Sequence, residues 1–227
     1  MAGDGRSELN FWWRIGVAFV GVALHLCFRM RVSGVGRVPA RGPAILAGNH
    51  LSAIDGIILA QAVGSRRGRM TRFLVAAEFF ERGWLAWALR LYRQIPLRRG
   101  RGDTSAIDEV VRTIRGGALA GILPEGKVNP DPDAGLLRGK RGIARVALVA
   151  GVSVVPVGVW GPQDRWPRDG LRLSRPWRLP LALSFGEPIE PQGDGSSSAD
   201  LQAFTDLVMT AIGKQVDEAR AMIHRAR

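Results

Sequence analysis

The sequence predicts an α/β fold, a largely parallel central sheet flanked by helices. Two features carry that expectation. Strand-length apolar runs alternate repeatedly with helix-length segments, the pattern of a sheet built through helical crossovers. Some of these runs, such as 44–47 and 118–123, are apolar throughout, as strands covered on both faces must be. At 227 residues, 46% of them hydrophobic, the chain can form one domain with a sizeable core. It shows no internal repeat and no second globular domain.

Residues 11–28 read as a helix, FWWRIGVAFVGVALHLCF, interrupted by Arg14 and His25. This is close to the roughly 20 residues a membrane span requires. Trp12 and Trp13 beside Arg14, with Arg29 and Arg31 past the other end, have the character of interfacial anchors. The segment is expected to be embedded in one leaflet or to lie at the interface, with a single span or a buried first helix as alternatives. It does not read as a signal peptide, since Asp4 and Glu8 dilute the positive start and no small-x-small site follows.

Residues 32–39 then form a short strand closed by Gly/Pro turn chemistry, 44–47 a buried strand, 56–63 a helix and 64–69 a basic loop. Strand 72–76 leads into a helix over 77–91, whose period brings Trp84, Trp87 and Leu91 to related faces. Strand 94–97 and a Gly/Arg loop at 98–102 follow. Asp103 then N-caps a helix that ends at Gly116-Gly117. Strand 118–123, a turn at 129–135, helix 139–150 and strand 152–160 complete the alternation. Residues 161–180, rich in Pro, Trp and Arg, form a surface excursion before a late strand at 181–189. A flexible link at 193–198 joins a final helix, 199–225, whose apolar stripe is Leu201, Phe204, Leu207, Val208, Ala211 and Ile212.

The most informative stretch is Asn49-His50-Leu51-Ser52-Ala53-Ile54-Asp55, directly after the apolar run that ends at Gly48. An imidazole with a carboxylate partner makes a general base that works near neutral pH. Five residues on a helix turn through roughly 500°, about 140° off one face. The two side chains therefore meet only if His50 lies on a loop and Asp55 just inside the next helix. Alone, the spacing fits a structural contact better than a catalytic dyad. Ser52, between the two, reads as a cap or turn residue rather than a nucleophile, and there is no G-x-S-x-G elbow.

A second segment, Gly121-Ile122-Leu123-Pro124-Glu125-Gly126-Lys127-Val128, alters that reading. Asn-His-x4-Asp followed by strand-Pro-Glu-Gly resembles the 1-acylglycerol-3-phosphate O-acyltransferase (PlsC-type lysophospholipid acyltransferase) family. Ile95-Pro96-Leu97-Arg98-Arg99 is similar to its second motif and Val154-Val155-Pro156-Val157-Gly158 to its fourth, all in the family's order. The resemblance implies the glycerolipid acyltransferase fold over residues 32–227, with 1–31 as an N-terminal membrane-associated helix. It implies transfer of a fatty acyl group from acyl-CoA or acyl carrier protein to a lysophospholipid hydroxyl, first lysophosphatidic acid to give phosphatidic acid. His50 and Asp55 would be catalytic, and Arg99, Glu125, Gly126, Lys127 and Asn49 would meet the substrate. No resident cofactor or metal is expected. The enzyme would work on membrane lipids at the cytoplasmic face.

This chain departs from the commoner pattern after Gly126, where Thr or Ser and then Arg are usual. Here Lys127 and Val128 follow, and Pro-Glu-Gly-Lys-Val-Asn looks like the tafazzin branch. Another lysolipid or glycolipid acceptor, or transacylation, therefore stays open. Lys127 would supply charge less directionally than an arginine fork. Gly121-x4-Gly126-Lys127 also matches most of a phosphate-binding P-loop, but Val128 cannot replace the metal-binding hydroxyl and Glu125 would repel phosphates.

Lys and Arg number 32 against 20 Asp and Glu, a net charge of +12, which suits an anionic partner or reflects base composition. Nucleic acid is the rival partner. It is disfavoured because the basic residues are dispersed and the tryptophans sit in apolar segments rather than among them. Cys27 is the single cysteine, which excludes an internal disulfide and a multi-cysteine metal site.

Overall fold

The structure, a computed structural model, describes residues 8–81, 83–97 and 104–225. Among the described residues seven strands form one sheet: β1 (Phe28–Ser33), β2 (Ala44–Gly48), β3 (Thr71–Ala76), β4 (Ile95–Leu97), β5 (Leu119–Ile122), β6 (Val154–Trp160) and β7 (Leu179–Phe185). Their order is β1-β7-β6-β2-β5-β3-β4. Neighbours run parallel except β6 and β7, which are antiparallel. The helices are α1 (Phe11–Cys27), α2 (Asp55–Arg67), α3 (Gly83–Leu91), α4 (Thr104–Arg115), α5 (Gly142–Ala150) and α6 (Ser198–His224).

The sheet's two faces bury separate clusters. On one, Leu24 of α1 and Ile58, Leu59 and Val63 of α2 meet Leu46, Val155 and Val157. On the other, Val110, Ile114, Ile143, Phe204, Val208 and Ile212 of α4, α5 and α6 meet Ile45, Ala120 and Val154. The central strands therefore have no polar face, which is why 44–47 and 118–123 read as continuous apolar runs. Tyr92, just past α3, packs edge-on to Trp13 at 5.5 Å and brings that end of α3 beside α1.

Several elements differ from the sequence expectation. The first strand begins at Phe28, directly where α1 stops, and pairs with β7 from Phe28↔Leu179 onward; edge pairing and burial of Phe28 override the helical pattern there. Residues 35–37, expected as strand, form a 3-10 turn. The expected helix 77–91 divides into a 3-10 turn at Ala77–Phe80 and α3. Trp84 and Trp87 of α3 face solvent at 79% and 62% exposure. Helix α5 starts at Gly142 because the backbone before it binds elsewhere: Lys140 N–H donates to Pro124 O at 2.9 Å. Leu207 of the expected α6 stripe is exposed. Strand β7 runs Leu179–Phe185, and Ile189 adds only one bridge, to Val154. The expected cap Asp103 lies outside the described residues.

Among the described residues no helix is long and apolar enough to cross a membrane. Helix α1 has 17 residues, about 26 Å against a hydrocarbon core of about 30 Å, so it does not form the single span. Residues 1–31, expected as the membrane-associated segment, include α1 and the opening of β1.

Gly158 sets the distance between β6 and α6. A Cβ there would stand 2.0 Å from the Gln215 carbonyl carbon, which is backbone and cannot swing aside. Gly158→Ala is expected to destabilise the fold by about 1–3 kcal/mol or more. A lowered urea midpoint at unchanged slope checks this.

Candidate active site

Strand β2 ends at Gly48 and α2 begins at Asp55. Residues 49–54 therefore form a loop at the carboxyl end of a central strand, where open α/β sheets present ligand sites. Asn49 is fully buried. Its Nδ2 donates to Val159 O at 2.9 Å and its Oδ1 accepts from Val159 N at 2.8 Å. This pair fastens the loop to β6 and occupies the amide that the resemblance assigned to substrate.

His50 follows, with its side chain 19% exposed. Its Nδ1 lies 3.0 Å from Asp55 Oδ2. The same oxygen accepts the N–H groups of Leu51 at 2.7 Å and Ser52 at 2.8 Å. An oxygen that already receives two N–H groups acts as an acceptor toward the third partner. The imidazole proton therefore sits on Nδ1, and Nε2 keeps its lone pair. Asp55 is wholly buried, and that burial pushes its carboxyl above the ordinary range. The His50 hydrogen bond and charge, then the Ser52 and Leu51 amides, oppose the shift. Its place in the first turn of α2 also puts the carboxylate at the positive end of the helix dipole. Ser52 Oγ accepts Ile54 N–H at 3.4 Å, a local turn contact.

Strand β5 lies beside β2 with Ala47↔Ile122 in register, and β6 lies on the other side with Gly48↔Val157. The register brings the Pro124-Glu125-Gly126 turn to the His50 loop. Glu125 is 2% exposed. Its Oε1 accepts His50 N–H at 2.8 Å and its Oε2 accepts Leu137 N–H at 2.9 Å. Burial pushes this carboxyl up, against the lowering effect of the Leu137 and His50 amides. Asn129 completes the clamp: its N–H donates to His50 O at 2.7 Å. Its side chain holds the following turn, donating to Gly135 O at 2.7 Å and accepting Asp131 N–H at 3.0 Å. The His50 backbone is thus gripped at its N–H by Glu125 and at its carbonyl by Asn129.

Two lysines accompany this turn. Lys127 is exposed. Lys140, absent from the sequence-level candidates, runs against Gly126: a Cβ on that glycine would lie 2.5 Å from Lys140 Nζ. Gly126 also has φ +67, a left-handed conformation that favours glycine. The only sequence cue to Lys140 was its place in Gly139-Lys140-Arg141-Gly142 before α5. Asn129 closes the Pro-Glu-Gly-Lys-Val-Asn block, but its grip on His50 depends on a contact across the sheet. Arg99, with Arg98 and Arg101, lies outside the described residues.

Glu125→Ala would leave two partly buried backbone donors without their acceptor, at up to about 1–3 kcal/mol each. The His50 and Leu137 amides are expected to exchange with deuterium faster in this variant than in wild type, with strand-centre amides changing less. Equal protection at His50 and Leu137 in the two proteins would contradict the clamp.

A family model described as Acyltransferase matches residues 29–160, which contain every side chain of the site. Among solved structures, PlsC, the 1-acyl-sn-glycerophosphate (LPA) acyltransferase from Thermotoga maritima, matches with a TM-score of 0.68 and 25% identity, over 92% of this chain and 80% of that one. Among curated proteins, an uncharacterized protein of Mycobacterium leprae is 26% identical over 76% of this chain and 54% of its own length. One from Mycobacterium tuberculosis is 27% identical over 76% of this chain and 55% of its own length. The chain thus spans about half the length of the curated relatives it matches. The likeness to PlsC runs through nearly all of the fold, and with the family match covering more than half of the sequence the chain belongs to the Acyltransferase family.

Proposed function

We propose that the protein is a membrane-associated O-acyltransferase that moves a fatty acyl group from acyl-CoA or acyl carrier protein to a lysophospholipid hydroxyl. Lysophosphatidic acid is the first-choice acceptor. The observation that carries this reading is the His50–Asp55 pair, with Nδ1 committed to a buried carboxylate at 3.0 Å and Nε2 left as the basic nitrogen. An alcohol is a weak nucleophile near neutral pH, so its proton must leave as it attacks. In the proposed reaction, Nε2 takes that proton while the acceptor oxygen bonds to the thioester carbonyl carbon. The tetrahedral intermediate then collapses with cleavage of the carbon–sulfur bond, and the imidazolium returns the proton to the departing thiolate. Asp55 holds the tautomer and stabilises the imidazolium. Glu125 and Asn129 act as positioning residues through the His50 backbone. Lys127, Lys140 and Arg99 would supply positive charge to an acceptor phosphate.

The distribution of apolar surface supports membrane association. Phe11, Trp12, Ile15, Phe19, Val22 and Leu26 of α1 are exposed, as are Ile57 of α2 and Trp84 and Trp87 of α3. The α4–α6 face exposes only Val149 and Leu207 among the described large hydrophobics. One-sided apolar exposure on this scale marks an interaction surface. The net charge of +12 adds attraction to anionic lipid. A donor thioester arriving from the aqueous side would place the site at the cytoplasmic face.

The test is an assay of purified protein with a panel of lysolipids and long-chain acyl-CoA, read by mass spectrometry. His50→Ala is expected to lower turnover by roughly 10²-fold or more, with Asp55→Asn also strongly impaired. Lys127→Ala and Lys140→Ala are expected to raise KM for lysophosphatidic acid more than KM for the donor. Equal effects on acceptors with and without a phosphomonoester would favour the glycolipid or transacylase reading, which Val128 in place of the usual arginine also suits. A folded His50→Ala protein with wild-type turnover would contradict the mechanism.

A further inference from the structure

Strands β6 and β7 are antiparallel neighbours, a pair that a two-residue turn can join. Instead, eighteen residues, 161–178, separate Trp160 from Leu179. Their regular structure is a single 3-10 turn at Pro162–Asp164. Irregular connections of this length are uncommon inside a compact domain and are usually functional.

This excursion is built rather than loose. Arg165 is 6% exposed and serves as its internal scaffold. Its Nη1 donates to Arg172 O at 2.9 Å and to Arg175 O at 3.1 Å, and its Nη2 donates to Pro176 O. Its guanidinium also lies 5.9 Å from the Trp177 ring centroid. Arg29 Nε reaches across from β1 to Arg178 O at 3.1 Å. One buried cation thus gathers three carbonyls and fixes what the excursion presents outward.

What it presents is apolar and basic together. Leu173 and Trp177 are 77% and 76% exposed, and Leu171 is exposed beside them. The side chains of Arg168, Arg172, Arg175 and Arg178 are exposed, against Asp169 as the exposed acid from 166 to 178. Large apolar side chains held in water among cations suit a lipid surface. The rings and aliphatic tips enter the headgroup boundary while guanidinium groups meet anionic headgroups. The position suits it too. The excursion leaves the sheet beside Val159, the residue that Asn49 clips, and returns beside Phe28 at the end of α1. It therefore stands between the His50 loop and the exposed apolar helix.

We infer that residues 161–178 form a membrane-docking loop, pre-shaped by Arg165, that inserts Leu173 and Trp177 into an anionic lipid surface beside the active site. Docking needs the lipid surface but not acyl transfer, so a failure of the proposed chemistry and a failure of docking are read apart.

The experiment is co-sedimentation of the full chain, without substrate, with vesicles of phosphatidylcholine alone or mixed with phosphatidylglycerol, at low and high salt. Leu173→Ser/Trp177→Ser is expected to weaken binding to both vesicle types by roughly tenfold or more, the scale of losing one buried apolar side chain. Arg168→Gln/Arg172→Gln/Arg175→Gln, which leaves the carbonyls held by Arg165 in place, is expected to weaken binding to the mixed vesicles only and to flatten its salt dependence. Leu207→Ser on the opposite face should bind as wild type. A second readout does not depend on those variants: Leu173→Cys in a Cys27→Ser background, labelled with an environment-sensitive fluorophore, should shift its emission to the blue when vesicles are added. Wild-type binding by the folded Leu173→Ser/Trp177→Ser protein, or unchanged emission from residue 173 on bound vesicles, would overturn the inference. So would a wild-type chain that binds neither vesicle, leaving a protein partner as the occupant of this surface.

Discussion

The geometry of the site depends on one buried carboxylate oxygen. Asp55 Oδ2 receives the N–H groups of Leu51 and Ser52 and the imidazole of His50, all within 3.0 Å. Burial disfavours the charged form and pushes the carboxyl up, and the three donors that converge on it oppose that shift. That requirement dictates the path of residues 49–55. Both amides must turn inward, Asp55 must open the helix, and the His50 ring must follow. Nδ1 of the imidazole is committed to Asp55, and among the described residues Nε2 has no hydrogen-bond partner in the network.

A loop carrying such a constraint has to be held from outside, and the two strands beside β2, with the turn that follows β5, do this. Asn49 binds β6 through both polar atoms of its amide. Glu125, at the end of β5, binds the His50 N–H, and Asn129 binds the His50 carbonyl. The motifs that lie far apart in sequence meet because β2 runs between β5 and β6. Fold and site are therefore linked directly: a shift in strand register would move Glu125 away from the residue it holds.

How much of this was legible in the sequence follows from the range of each interaction. The alternation of strands and helices, the loop position of His50 and the helical position of Asp55 depend on neighbours in the chain, and they could be read directly. The clamp by Glu125 could not, because a carboxylate beside a glycine turn gives no sign of which backbone amides it will receive from 75 residues away. The same applies to Lys140, which meets Gly126 only after α5 docks. The start of β1 was hidden by the helical pattern that runs through Phe28. The exposed Trp84 and Trp87 of α3 show the opposite case: helical period was visible, but period alone does not say whether an apolar face meets a core or solvent.

The central claim is that Asp55 holds the proton of His50 on Nδ1 and leaves Nε2 unprotonated. Nitrogen-15 NMR of the imidazole, at a pH where His50 is neutral, tests it most directly. The account predicts that Nδ1 of His50 carries a directly bonded proton while Nε2 resonates as an unprotonated, pyridine-like nitrogen. It also predicts that Asp55→Asn disturbs this preference while His25 and His224 are unaffected. A wild-type His50 with its proton on Nε2 would contradict the account.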